Sequence, residues 1–96
     1  MLEPLDPILH SQLRLAIVSL LIGVESAEFT YLLEKTESTR GNLSVQITKL
    51  KEAGYIDVEK SFRNNYPLTR CSITKKGVAA FEQYVKAITT YLNRES

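Results

Sequence analysis

The hydrophobic pattern of this chain changes its period at Gly54. Before this glycine, large apolar residues recur at intervals of four and three positions, which is typical of one face of an α-helix: Leu43, Ile47 and Leu50. After it, residues 55–60 follow a period of two, in which Ile56 and Val58 are apolar and Asp57 and Glu59 are polar, as in a strand with one buried face. Glycine readily adopts the left-handed conformation that ends many helices, so we predict a central helix from Arg40 to about Ala53. A helix that runs directly into a strand is therefore the main unit of the fold.

A second extended segment, Arg70 to Thr74, follows the first and predicts an antiparallel pair of strands. Between the two segments we expect a long tip over Phe62 to Thr69. Asn64 and Asn65 tolerate positive φ there, and Pro67 limits pairing because it has no backbone N–H to donate. The sequence thus predicts a two-stranded hairpin with a long tip.

A long first helix is predicted at the beginning of the chain. Asp6 followed by Pro7 indicates its start, because the carboxylate can cap the helix and the first helical residue needs no N–H. Gly23 is expected to end it. The apolar residues expected on its buried face are Leu9, Leu13, Ile17 and Leu20.

A short strand at residues 26–29 and a short helix ending near Thr36 are predicted next. Thr30 can cap this helix, with Ser26 as the alternative. The polar segment Glu37-Ser38-Thr39 predicts a turn, and its last residue is the best cap for the central helix.

Thr74 can cap a last helix that runs from Lys75 to about Arg94. Two apolar stripes lie side by side on it. The first consists of Val78, Phe81, Val85, Ile88 and Leu92, and the second of Ala80, Tyr84, Ala87 and Tyr91. The complete prediction is a mainly α fold with a small β-hairpin, in the order α-β-α-α-β-β-α.

The length of 96 residues leaves room for one core, so we expect residues 1–96 to form a single domain. The best candidate for a membrane span, Leu5 to Ile22, is interrupted by Arg14 and lacks the basic leader and cleavage site of a signal peptide. The sequence therefore predicts a cytoplasmic protein with no membrane partner.

The sequence offers no candidate residues for a metal site, an internal disulfide or a catalytic site. Its one cysteine, Cys71, cannot form an internal disulfide, and with its one histidine, His10, it cannot supply a zinc site of about four ligands. We expect Cys71 to be a small buried hydrophobe and His10 to be structural. No nucleophile triad, phosphate-binding glycine loop or catalytic carboxylate pair is present, so we expect neither an enzyme nor a bound cofactor.

The net charge of +1 conceals an uneven distribution of charge along the chain. Residues 1–34 carry one cation and five carboxylates, whereas residues 35–76 carry nine cations and four carboxylates. The middle segment has a net charge of +5, which is typical of a surface that binds anions, nucleic acid above all. A solvated basic surface with no partner gives the same count and stays an alternative.

Four short sequences, taken in order, resemble one family of proteins. They are Gly41-Asn42-Leu43-Ser44, residues 50–56, Lys60-Ser61-Phe62-Arg63 and Ile73-Thr74-Lys75-Lys76-Gly77. Together they resemble the small stand-alone winged helix DNA-binding domain regulators of the MarR-like and ArsR-like class. Residues 5–21 are also similar to the first helix of that group. The resemblance implies a winged helix-turn-helix fold that binds double-stranded DNA, with the hairpin as its wing.

Two segments depart from the pattern of that family. Glu37 and Ser38 occupy the turn before the central helix, where a glycine and an apolar residue are frequent. Asn64 and Asn65 stand where the wing often has glycine and basic residues, which lowers the charge expected of the wing.

The resemblance, together with the polar face of the central helix, predicts the contacts with DNA. Side chains of a helix in the major groove can bond base edges, while neighbouring cations meet phosphates. The candidates in the helix are Arg40, Asn42, Ser44, Val45, Thr48 and Lys49. Those in the wing are Lys60, Arg63, Asn64, Asn65 and Arg70. Arg63 is the candidate for the minor groove, and Gln46 is left out because it lies nearer the buried edge.

The first and last helices have more apolar surface than one core requires, which predicts a homodimer. The residues expected at its interface are Leu9, Leu13, Tyr84, Ala87, Ile88, Tyr91 and Leu92. We therefore expect a homodimeric repressor that binds a pseudo-palindromic operator. A small-molecule effector, for which the sequence names no ligand, is a further hypothesis. The alternative function is a winged-helix protein interaction module that binds no DNA.

Overall fold

The computed structural model describes residues 2–93, in which four helices and three strands follow the predicted order. The helices are α1 (Gln12–Leu21), α2 (Phe29–Thr36), α3 (Arg40–Glu52) and α4 (Lys75–Leu92). The strands β1 (Ala27–Glu28), β2 (Ile56–Arg63) and β3 (Tyr66–Ile73) form one antiparallel sheet in the order β1-β3-β2. The predicted mainly α fold with a small hairpin is confirmed, while the expected helix end at Arg94 lies outside the described residues.

The start of α1 differs from the prediction. Asp6 does act as a cap, but of a separate turn: its Oδ1 accepts a hydrogen bond from the N–H of Ile8 at 2.8 Å, and its carbonyl accepts one from His10 at 2.8 Å. The helix begins only at Gln12. An aspartate followed by proline fits the first turn of a helix and an isolated turn equally well, so the local sequence does not separate the two.

The turn between α2 and α3 is held by hydroxyl groups. Thr36 Oγ1 lies 2.7 Å from the carbonyl of Leu32 and 2.8 Å from Ser38 Oγ. Glu37 has the left-handed conformation, with φ of +53°, that glycine frequently adopts in this turn. As predicted, Thr39 caps α3, since its hydroxyl accepts the N–H of Asn42 at 3.2 Å.

The prediction that Thr30 or Ser26 caps α2 is wrong. The helix begins at Phe29, directly after β1, and its N-cap residue Glu28 makes no side-chain capping bond. The helix follows directly on β1, whose pairing with β3 therefore determines where α2 begins.

The end of α3 lies where the sequence predicts it, just before Gly54. Gly54 has a φ of +82°, and its N–H bonds the carbonyl of Lys51 at 2.9 Å, while Tyr55 N–H bonds the carbonyl of Leu50 at 3.0 Å. This pair of bonds is the Schellman arrangement that ends helices at a left-handed glycine. It directs the chain straight into β2.

The hairpin of β2 and β3, called the wing below (residues 56–73), is paired over its whole length. The predicted long tip over Phe62 to Thr69 is wrong, because the register runs out to Arg63 opposite Tyr66. Only Asn64 and Asn65 form the turn, with φ of +50° and +67°, as a two-residue turn of type I′ requires.

Pro67 is accommodated in the ladder because of where it lies. It stands opposite Phe62 in β2, and its other side extends beyond β1, which pairs with β3 only at Cys71 and Arg70. On that unpaired side a missing N–H leaves no hydrogen bond unmade. The proline therefore shortens neither strand.

Side chains from all seven elements form the core. One buried residue from each is Ile17, Ala27, Leu32, Leu43, Ile56, Cys71 and Tyr84. Cys71 is fully buried in β3, the middle strand, and burial raises the pKa of its thiol to about 11. On α3 the predicted face is buried as expected, with Leu43, Ile47 and Leu50 exposed by 6% or less.

Thr74 caps α4 as predicted, since its hydroxyl accepts the N–H of Gly77 at 3.0 Å. The face of α4 turned toward the core carries Tyr84 and Ala87 from the second apolar stripe. The first stripe is left partly uncovered. Within residues 2–93, every helix is too short or too polar to span a lipid bilayer.

Candidate nucleic-acid interface

The polar face of α3 is open to solvent along its whole length. All six residues predicted to contact DNA from this helix are exposed: Arg40, Asn42, Ser44, Val45, Thr48 and Lys49. Val45 is 51% exposed, a large fraction for an apolar side chain among polar neighbours. The capped start of α3 is also unobstructed, because a Cβ added at Gly41 would meet no atom within 4 Å. The face can therefore approach another surface closely.

The tip of the wing brings several candidates together. Lys60, Arg63, Asn64 and Asn65 are all exposed on its outer half. Arg70 is different, because the fully paired ladder places it in the middle of β3, opposite Glu28 of β1 and Glu59 of β2. It is half-buried there and is not brought together with the other wing candidates.

A groove of about 390 Å³ separates the wing from the first residues of α2 and α3. Arg40 and Arg63 both line it, so the two elements that carry the DNA candidates face each other across it. The guanidinium of Arg40 lies 5.5 Å from the ring centre of Phe29, a cation–π contact. Arg63 makes an ion pair of 3.0 Å with Glu28. The positions of both arginines are thus defined by contacts within the chain.

Two aromatic residues at the wing tip were not recognised in the sequence. Phe62 and Tyr66 are 75% and 74% exposed. Phe62 lies an even number of positions after Ile56 and Val58, with Lys60 as an interruption, so extending the period-two pattern would have identified Phe62 as a strand residue. The expected long tip concealed this signal. Large apolar groups left in water at the end of a hairpin indicate a contact surface.

Gln46, which the sequence interpretation left out, is joined to the exposed face of α3. Arg14 Nη1 donates to Gln46 Oε1 at 2.5 Å, and Gln46 Nε2 donates to Asn42 Oδ1 at 3.0 Å. Arg14 belongs to α1, 32 positions before Gln46, so no local pattern in the sequence could have shown this connection.

The predicted dimer interface needs correction. Leu9 and Ala87 are exposed by 1% or less in the single chain, so neither has surface area left to bury against a second copy. Tyr84 is 7% exposed, and its hydroxyl lies 3.1 Å from His10 Nδ1. The hydroxyl of Tyr91 donates to the carbonyl of Glu3 at 3.1 Å.

These contacts show that residues before α1 reach over to α4. Gln83 on α4 also donates to the carboxylate of Glu3, at 2.9 Å. The chain itself therefore uses much of the apolar surface that the sequence assigned to a partner. Leu13 and Ile88 remain half-buried, and Leu92 is 75% exposed.

Comparison with known proteins agrees with this geometry. Residues 13–92 match the family described as winged helix DNA-binding domain, and the chain belongs to this family. The family recognised from the sequence is thus confirmed. The chain is also 41% identical over 81 residues to an uncharacterized protein of Methanocaldococcus jannaschii, covering 84% of this chain and 88% of that protein.

Solved structures share the fold. A transcriptional regulator homologue protein from Pyrococcus horikoshii OT3 superposes with a TM-score of 0.83 at 24% identity, over 90% of this chain and 85% of that one. The transcriptional regulator BldR from Sulfolobus solfataricus superposes with a TM-score of 0.71 at 18% identity, over 88% of this chain and 59% of that one. The winged helix architecture is therefore common to all three.

Proposed function

We propose that this protein is a sequence-specific transcriptional regulator that binds double-stranded DNA as a homodimer. The observation that carries the proposal is the open polar face of α3, with the wing standing across a groove from it. Membership of a family of DNA-binding domains supports the choice of DNA as the partner. Two neighbours in fold that are described as transcriptional regulators support the regulatory role.

In this proposal α3 enters the major groove. Asn42, Ser44 and Thr48 bond base edges or phosphates, and Val45 contacts a thymine methyl group. Arg40 and Lys49 meet phosphates on either side, which fixes the register of the helix without reading sequence. The net charge of +5 on residues 35–76 favours the approach of DNA.

The wing contacts the flank of the same site. Arg63 enters the minor groove, where a guanidinium responds to the negative potential of narrow A·T-rich DNA. Lys60, Asn64 and Asn65 touch the backbone. Phe62 and Tyr66 join this set because their exposed rings can pack on deoxyribose and base edges.

A second copy is proposed to cover the first apolar stripe of α4. Its members recur at intervals of three and four residues, as in helices that pair along a common seam: Val78, Phe81, Val85, Ile88 and Leu92. Val85 and Leu92 are 44% and 75% exposed in the single chain. This seam replaces the buried residues Leu9 and Ala87 of the sequence-based interface.

The dimer gives the proposed regulator its specificity. One winged module buries only about 600 to 1,000 Å² on DNA, whereas two modules related by a two-fold axis read two half-sites about one helical turn apart. Residues 1–96 act in this proposal as one domain of a cytoplasmic repressor, which occludes promoter elements by occupying a pseudo-palindromic operator.

Selection of bound sequences from random duplexes tests the proposal, together with the molar mass of the free protein. We expect a dimer and a pseudo-palindromic consensus. Val85→Glu should give a monomer with weaker binding. Val24→Glu, at a valine that is 47% exposed beside β1 and Tyr31 of α2, should change neither property. A dimeric Val85→Glu protein would show that the seam is wrong.

In a gel-shift experiment at about 50 mM salt, the absence of a retarded duplex would contradict DNA binding itself, because non-specific phosphate contacts are strong at that ionic strength. That outcome would favour the alternative, a winged-helix module that docks other proteins.

A further inference from the structure

A chain of hydrogen bonds runs from α1 to the DNA-facing side of α3. Arg14 donates to Gln46 at 2.5 Å, and Gln46 donates to Asn42 at 3.0 Å. Arg14 is itself anchored at the turn before α1, since its Nε donates to the carbonyl of Ile8 at 2.6 Å and its Nη2 lies 3.5 Å from that of Pro7. The guanidinium is therefore held from two sides, by carbonyls of the turn before α1 and by Gln46.

Arg14 fixes the direction of both hydrogen bonds that lead from it through Gln46 to Asn42. A guanidinium has only donors, so the atom of Gln46 that faces Arg14 must be the oxygen Oε1. The amide nitrogen of Gln46 then faces Asn42, which must present its own oxygen Oδ1 to accept that bond. The Nδ2 group of Asn42, with two N–H donors, is left for an outside partner.

We propose that Arg14 and Gln46 are positioning residues that make Asn42 a hydrogen-bond donor toward a base edge. This inference rests on the proposed function, in which Asn42 lies in the major groove. Guanine offers two adjacent acceptors there, N7 and O6, whereas cytosine offers the donor N4–H₂. Asn42 thus selects guanine over cytosine at one position of each half-site.

Gln46→Glu tests the direction of these hydrogen bonds, because it reverses the bond between residue 46 and Asn42. The new carboxylate still accepts from Arg14, but it has no donor for Asn42 at neutral pH. Asn42 must then turn its Nδ2 toward Glu at position 46 and its Oδ1 toward DNA. Its preference moves from guanine to a base with a donor in the major groove, cytosine or adenine.

The position read by Asn42 is identified first with Asn42→Ala, which should flatten the base preference at that position alone. Gln46→Glu should invert the preference at the same position, with a change of about tenfold in the ratio of affinities for guanine and cytosine. Gln12→Glu is the matched control. Gln12 is exposed and lines, together with Gln46, a second groove between the start of α1 and α3, so this substitution introduces the same charge nearby. It should weaken binding without changing the consensus.

The outcomes separate the inference from the proposed function. If the wild-type protein retards no duplex, DNA binding fails. If it selects a consensus that Gln46→Glu leaves unchanged, or changes only where Asn42→Ala has no effect, the positioning chain is wrong. Should Gln46→Glu not fold, judged by its thermal unfolding, Gln46→Ala decides. That variant frees Asn42 and should reduce its guanine preference about tenfold, and an unchanged preference would overturn the inference.

Discussion

The guanidinium of Arg63, near the tip of the wing, lies 3.0 Å from the carboxylate of Glu28, 35 positions earlier in the chain. Both side chains are partly exposed, at 55% and 32%, so the pair is screened by solvent and contributes little to stability. It nevertheless occupies the cation that the proposed function assigns to the minor groove. In the proposed function, Glu28 therefore competes with DNA for Arg63.

Glu28→Gln should tighten DNA binding by about 1.4- to fivefold, because an exposed ion pair of this kind is worth about 0.2 to 1 kcal/mol. The magnitude of the salt slope should rise by up to about 0.9 if Arg63 gains one phosphate in place of the carboxylate. Dissociation constants measured at several salt concentrations give both quantities.

Glu25→Gln is the control for Glu28→Gln, because it removes an equal charge from an exposed residue that precedes β1. Equal effects of the two substitutions would mean that only net charge matters. Weaker binding by Glu28→Gln would mean that the ion pair orients Arg63 for DNA instead of competing for it.

Thr48 and Lys49 are exposed neighbours on α3. Replacing each of them with alanine should weaken DNA binding in a different way. Lys49→Ala should weaken binding to all sequences and lower the magnitude of the salt slope by about 0.9, because one phosphate contact is lost. Thr48→Ala should cost about 1 to 3 kcal/mol, mainly at one base pair, if its hydroxyl bonds a base edge.

Titrations of the selected operator and of single-base variants, each at several salt concentrations, distinguish the two patterns. Both residues are exposed, so both variants should unfold at the temperature of the wild-type protein. If both bind the operator as tightly as the parent does, α3 is not the reading helix.

Local signals in the sequence located most of the elements of this fold. The periodicity of Leu43, Ile47 and Leu50, the capping hydroxyls of Thr39 and Thr74, and the left-handed Gly54 all act over a few residues, and each was predicted correctly. The start of α1 was missed because its turn has the same local signature as a helix.

Contacts between distant parts of the chain escaped the sequence interpretation. The reach of residues 2–10 over α4 determines which apolar residues are free for a partner, and it depends on pairs such as Glu3 with Tyr91. The bond between Arg14 and Gln46 and the ion pair between Glu28 and Arg63 likewise join separate elements. Periodicity describes one face of one element, so it carries no information about such pairs.

Gly77 lies where α4 approaches the start of the wing closely, and its substitution by alanine tests whether this approach is required. A Cβ at this position would lie 2.1 Å from the carbonyl oxygen of Tyr55 and 2.8 Å from Ile73 Cγ1. Because a backbone atom would have to move, Gly77→Ala should lower the free energy of unfolding by about 1 to 3 kcal/mol.

Urea denaturation measures this cost, and Gly41→Ala is the matched control. An added Cβ at Gly41 meets nothing within 4 Å, and the residue lies in the first turn of α3. Alanine there should leave the stability unchanged or raise it by about 0.5 to 1 kcal/mol. Equal stabilities of the two variants would mean that α4 shifts freely against the hairpin.

Tyr55 should make the protein sensitive to alkaline pH. Its hydroxyl donates to Asp6 Oδ2 at 2.5 Å, and burial, followed by this hydrogen bond and the charge of Asp6, raises its pKa to about 12. The unfolded chain has the ordinary tyrosine pKa of about 10. The folded state thus holds the neutral phenol more strongly than the unfolded state does. The stabilisation from this proton is complete below about pH 10 and is lost as the pH rises toward 12.

Tyr55→Phe should therefore be less stable than the wild-type protein at pH 7, where the hydrogen bond is lost, and this difference should shrink between about pH 10 and 12. Urea midpoints measured along this pH range provide the test. Cys71, whose pKa burial raises to about 11, contributes a loss of the same sign to both proteins, so their difference isolates Tyr55. Tyr66→Phe, at a tyrosine that is 74% exposed, should follow the wild-type curve. A constant gap between wild type and Tyr55→Phe up to pH 12 would show that Asp6 does not hold the phenol proton.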